Sequence, residues 1–163
     1  MADYYGTLAL ADAYHEAHGN DTWTGADTLR AAALLRASVW IDMTFRSRFP
    51  GYKSGGRSQV REWPRLDAFD TDDLAIASDE VPAEVLNATY EAALRELITP
   101  GSLSPDFVAS QQVKSESIGP ISTTYQDSLS IEDVRPVVSI VNDLMSPIVG
   151  ASGPTLCGSV ERC

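Results

Sequence analysis

The chain reads as mainly α: a helical bundle carrying a small β-hairpin and an extended C-terminal tail. Apolar residues recur at steps of three and four between Thr24 and Phe49 and again after Pro82, the spacing of one helix face. From Val113 to Tyr125 the pattern changes to short, Ser- and Thr-rich, partly alternating segments around Gly119-Pro120, as in a hairpin. The 163 residues suffice for one compact domain, taken as residues 1–149 with the hairpin near 113–125, followed by a flexible tail over 150–163.

In chain order, Thr7 is a plausible N-cap for a short helix reaching His18 and stopped by Gly19, with Leu10, Ala13, Tyr14 and Ala17 as its buried stripe. His15 and His18 sit three apart, one short of the four-residue step of a zincin helix, so they are expected at a solvated helix edge rather than at a metal. The next helix is expected to be the spine. Thr24 can cap it with Asp27 three residues on, and Pro50 stops it. About 25 residues at about 1.5 Å each make a rod roughly 37 Å long. Its core stripe is Ala33, Ala37, Trp40, Ile41, Thr44 and Phe45, with Arg48 at the basic end.

Pro50 to Arg57 carries three glycines and is expected as a loop; Tyr52 stands where a phosphate-binding P-loop needs glycine before its lysine. Trp63-Pro64-Arg65 closes this segment, with Trp63 expected to anchor the loop to the core. Asp67 to Glu80 is acidic, lacks the central glycine and closing glutamate of an EF-hand, and is expected as a solvated connector. Pro82 suits the first turn of a helix running to about Thr99, with Leu86, Tyr90, Ala93, Leu94, Leu97 and Ile98 on one face; Pro100-Gly101 ends it. A last helix is expected from near Arg135-Pro136, its regular part ended by Pro147.

The formal net charge of -11 argues against a surface that attracts nucleic acid everywhere. Its distribution is uneven. Arg46, Arg48, Lys53, Arg57, Arg61 and Arg65, half of the 12 lysines and arginines, follow the spine helix with Glu62 as the only acid among them. These six are the candidate DNA-channel or ring-contact residues, Tyr52 and Trp63 being interleaved with them as possible base-stacking partners. The alternative is a set of intramolecular salt bridges with the many acids. No nucleophile elbow or other catalytic constellation is present, so neither an enzyme nor a cofactor is expected. No run matches a membrane span or a signal peptide, and synthesis in the host cytoplasm is expected.

The runs Ala11-Asp12-Ala13-Tyr14, Ala32 to Asp42 with Phe49-Pro50-Gly51, Gln59 to Arg65, Val81-Pro82-Ala83-Glu84-Val85, and Leu94 to Pro105 resemble, in order and spacing, tailed-phage head-to-tail connector proteins. Some relatives are described as DnaT-like single-stranded-DNA-binding proteins. The resemblance implies a structural virion protein of the neck: a homo-oligomeric ring of twelve copies between portal and tail. Its partners would be the portal protein, the next neck or tail-completion protein, and the genomic double-stranded DNA passing through. The alternative is a single-stranded-DNA-binding replication protein. Cys157 and Cys163 match no family motif. Tails gathered around a ring raise the effective thiol concentration, so an inter-chain disulfide after release into an oxidising medium is the expectation, against free thiols or an intrachain bridge.

Overall fold

The computed structural model describes residues 3–105, 115–118, 121–124 and 137–149. Four helices carry the core: α1 (Leu8–Ala17), α2 (Asp27–Phe45), α3 (Ala83–Ile98) and α4 (Ser139–Val149). α3 is central, packed on α2, α4 and α1. Two antiparallel ribbons accompany them, β1 (Tyr52–Lys53) with β2 (Arg65–Leu66), and β3 (Ser115–Ile118) with β4 (Ile121–Thr124). The second is the expected hairpin, with Ser115 opposite Thr124 and Ile118 opposite Ile121. The tail beyond Val149, with Cys157 and Cys163, lies outside the described residues.

α1 begins as expected, Thr7 Oγ1 accepting the Leu10 N–H, and Gly19 follows it at φ +66°. Its buried side differs. Ala11 and His15 face the core while Leu10 is 52% exposed, so His15 is no solvated edge. The His15 ring packs 4.5 Å from Trp23 and edge-on to Tyr14 at 5.3 Å; His18 is exposed. Burial lowers the His15 pKa, and its Nε2 has no hydrogen-bond partner.

α2 is shorter than the expected rod. Gly25 at φ +120° breaks helical geometry after Thr24, so the helix starts at Asp27, with Ala26 at the cap position making no side-chain bond. It ends at Phe45, where the Arg48 and Phe49 N–H groups both return to the Phe45 carbonyl; Pro50 disfavours helical geometry in the residue before it. Ala33, Leu34, Ala37, Ser38, Ile41, Asp42 and Phe45 are buried, whereas Thr44, expected in the stripe, is exposed and Trp40 is half-buried. The opposite side is also apolar, with Leu29, Leu35, Val39 and Met43 exposed.

α3 has no single apolar face because it is enclosed from several directions. Val85, Ala88, Thr89, Tyr90, Glu91, Ala92, Ala93 and Glu96 are buried, while Ile98, expected in the core, is 58% exposed at the helix end. Pro82 takes the cap position just before the helix. Gly101, at φ +87°, turns the chain so that its N–H and that of Leu103 both reach the buried Glu96 carboxylate, which also takes Arg36. Burial alone would raise the Glu96 pKa, but these three donors outweigh it and hold it low. In α4 the helix continues through Pro147 to Val149 instead of ending there. Pro147 has no N–H for the Asp143 carbonyl, and the Ser146 hydroxyl supplies that bond at 2.8 Å.

Candidate nucleic-acid interface

The basic segment leaves the end of α2 on an aromatic ladder. Phe45, Phe49 and Trp63 pack in sequence, with ring centroids 6.5 and 5.7 Å apart, and all three are buried. Trp63 is therefore the core anchor expected for it. Burying an indole removes about 200 Å² of surface, worth up to about 5 kcal/mol. Gly51 is required where the chain reverses. Its φ is +63°, and a Cβ there would lie 2.1 Å from the Leu66 carbonyl oxygen.

Arg65 closes the base of the loop. Its Nε donates to the Pro50 carbonyl at 2.6 Å, Nη2 to the Gly51 carbonyl at 2.6 Å, and Nη1 to the Glu62 carboxylate at 3.0 Å, while its guanidinium lies over the Phe49 ring. A lysine lacks the planar fork that aims separate N–H groups at these three acceptors at once. Arg61 is similarly occupied, donating to the Asp3 carbonyl at 2.6 Å and to Asp42 Oδ2 at 3.2 Å. Beside it, the Tyr5 hydroxyl donates to Asp42 Oδ1 and accepts the N–H groups of Glu62 and Trp63 at 3.1 and 3.2 Å. One donor and two acceptor positions are all a phenol has. Burial, then the Asp42 charge, raises the Tyr5 pKa; burial also raises that of Asp42, against the bonds from Tyr5 and Arg61.

The remaining cations lie outward. Arg46, Lys53 and Arg57, with Tyr52 and Gly56, line an open cleft of roughly 650 Å³. Gln59 shapes its rim: Oε1 accepts the Gly55 N–H at 2.7 Å while Nε2 donates to the Arg61 and Pro64 carbonyls. Lys53 Nζ reaches the Gln59 carbonyl and Glu62 Oε1, each at 3.2 Å, and Arg46 Nε is 4.0 Å from the same oxygen. Arg57 is exposed and has no ion pair among the described residues. Tyr52 is 56% exposed, and the neighbouring Asp67 charge raises its pKa. Arg48 is half-buried with its guanidinium over the Phe45 ring.

Of the six candidate cations, the fold thus gathers Arg46, Lys53 and Arg57 at one cleft and commits Arg61 and Arg65 to interior bonds. Intramolecular pairing, raised as the alternative from sequence, is realised at those two and also at Lys53 and Arg46, which both reach Glu62. Sequence reasoning did not assign Tyr5 or Asp42 to this region. Tyr5 lies 57 positions before Glu62, with the two tyrosines before Gly6 as its only local signal, and Asp42 sits within α2, just ahead of Arg46. Among the described residues no cluster of three or more His, Cys, Asp or Glu side chains could hold a metal ion, and no helix is long and apolar enough to cross a membrane.

The molecule is a small helical domain with a cationic, aromatic-flanked cleft at the end of its second helix. By its sequence it belongs to the family described as "Putative DnaT-like ssDNA binding protein", whose model matches residues 1–163. Neither the curated proteins nor the solved structures contain a match.

Proposed function

We propose that the chain binds single-stranded DNA, holding consecutive phosphates at the cleft of Arg46, Lys53 and Arg57 with an unpaired base against Tyr52. The observation that carries this is the convergence of three cations and an exposed aromatic ring in one open cleft on an otherwise acidic protein. Phosphate neutralisation supplies the affinity, and a ring face accepts any base, as sequence-independent single-strand binding requires. The family's description names the same activity, and not the connector role that the motif resemblance brought forward. With at most three phosphates neutralised, the slope of log K against log salt should be no steeper than about -2. Fluorescence anisotropy of a labelled oligothymidylate across a salt series tests it. Lack of binding at low salt, or equal loss on mutating surface lysines or arginines elsewhere, would sink it.

A second reading, the ring-forming connector between portal and tail of a virion, is favoured by α2. A helix with apolar residues on all sides is normally covered on all sides, yet Leu29, Leu35, Val39 and Met43 are exposed in the single chain. Subunit contact along this face would cover them. Light scattering on the purified protein separates the readings: a closed oligomer dissociated by Met43→Lys supports the ring, and a monomer at high concentration opposes it.

A further inference from the structure

Glu62 is a buried acid paired with two of the cations that line the cleft. Its side chain is 12% exposed and its two oxygens take different partners: Oε2 meets the interior Arg65 at 3.0 Å, while Oε1 lies 3.2 Å from Lys53 Nζ and 4.0 Å from Arg46 Nε. The backbone beneath it is fixed, its N–H being held by the Tyr5 hydroxyl at 3.1 Å. The carboxylate therefore cannot swing away from these two cations without breaking bonds on the interior side.

We infer that Glu62 is an intramolecular competitor for phosphate, which sets both the affinity of the cleft and the class of anion it accepts. This rests on the DNA-binding role proposed above. An isolated phosphate gains little here, since it exchanges one anion for another at Lys53 and must do so beside a fixed negative charge. A polyanionic strand engages Arg57 and the cleft rim at the same time, so contacts made by one phosphate raise the effective concentration of the next. The cleft is thereby selective for consecutive phosphates over single phosphates or nucleotides. A cation still shared with Glu62 neutralises less phosphate charge, so fewer counterions leave the strand and the salt dependence is shallower than the number of cations suggests.

The test uses the full chain, a labelled oligothymidylate and inorganic phosphate as competitor. Glu62→Gln keeps an acceptor for Arg65 and removes the charge. It should bind the oligonucleotide about 5- to 10-fold more tightly at low salt, the effect of one partly screened charge near the phosphates. Its salt slope should steepen by about 0.7, one further phosphate contact, and inorganic phosphate should become a measurable competitor. Adding Lys53→Gln should erase the gain. If Glu62→Gln does not fold, Glu62→Asp keeps the charge near Arg65 but draws it back from Lys53, and should tighten binding about 2- to 3-fold. Unchanged or weaker binding by a variant that unfolds as cooperatively as the wild type overturns the inference. That outcome leaves single-strand binding by the wild type standing, whereas absence of binding by wild type and variant alike overturns both proposals.

Discussion

Arg65 and Arg57 are eight positions apart in one basic run, yet they belong to different parts of the molecule. Arg65 is 6% exposed and spends its donors on two backbone carbonyls and a carboxylate; Arg57 is exposed. His15 in α1 and His18 just past its end divide the same way, the first buried and the second exposed. Like residues at short separation thus take opposite roles. A guanidinium with its donors satisfied inside the protein has little left for a ligand, while one in water keeps its charge available but holds nothing together.

That contrast can be broken by substitution. Arg65→Ala should have the largest effect, about 3–5 kcal/mol of lost stability by urea denaturation, since it strips two loop carbonyls of their donor and leaves the buried Glu62 carboxylate to Lys53 and the more distant Arg46. A loss under 1 kcal/mol would show that the loop closes without it. Tyr5→Phe keeps the ring and deletes the hydroxyl that joins Asp42 to the Glu62 and Trp63 backbone. A cost of about 1–3 kcal/mol is expected for the groups left unpaired, and hydrogen exchange at the Glu62 and Trp63 amides should accelerate; unchanged exchange would place the loop's support elsewhere.

His15 sharpens the comparison through pH. Its folded pKa is depressed by burial, so the unfolded chain binds the extra proton first. Stability from this residue is present above the unfolded value of about 6.5 and is lost as pH falls from there toward the folded pKa. His15→Gln should flatten that part of the stability profile. A profile that keeps its slope in this variant would show that another group titrates there. The smallest stability effect is expected at Arg57, where Arg57→Ala should stay within about 0.5 kcal/mol of wild type. Its oligonucleotide salt slope should nevertheless fall by about 0.7. A stability loss comparable to that of Arg65→Ala would erase the distinction.

Much of the architecture was legible in the residues. Helical periodicity located the four helices seen among the described residues, Ser and Thr alternation located β3 and β4, and Thr7 and Pro100-Gly101 marked ends that the fold respects, while α2 stops at Phe45, short of Pro50. The less legible features each have a local cause. Gly25 displaced the start of α2, and Ser146 let α4 run through Pro147. The buried faces of α1 and α3 were misassigned because periodicity assumes one neighbour, and α3 has three.

Composition and spacing by themselves determined that this is a helical domain with its positive charge concentrated between Arg46 and Arg65, and that Trp63 belongs to the core. These follow from short-range rules: apolar period, turn chemistry and the cost of exposing an indole. Only the tertiary structure decided which cations face water. That choice depends on Tyr5 and Asp42, brought from elsewhere in the chain to hold the Glu62–Trp63 backbone and Arg61, and on the carbonyls of Pro50 and Gly51, exposed by a turn that only glycine can make. Burial of a charge is settled by partners distant in sequence, and no local pattern encodes them.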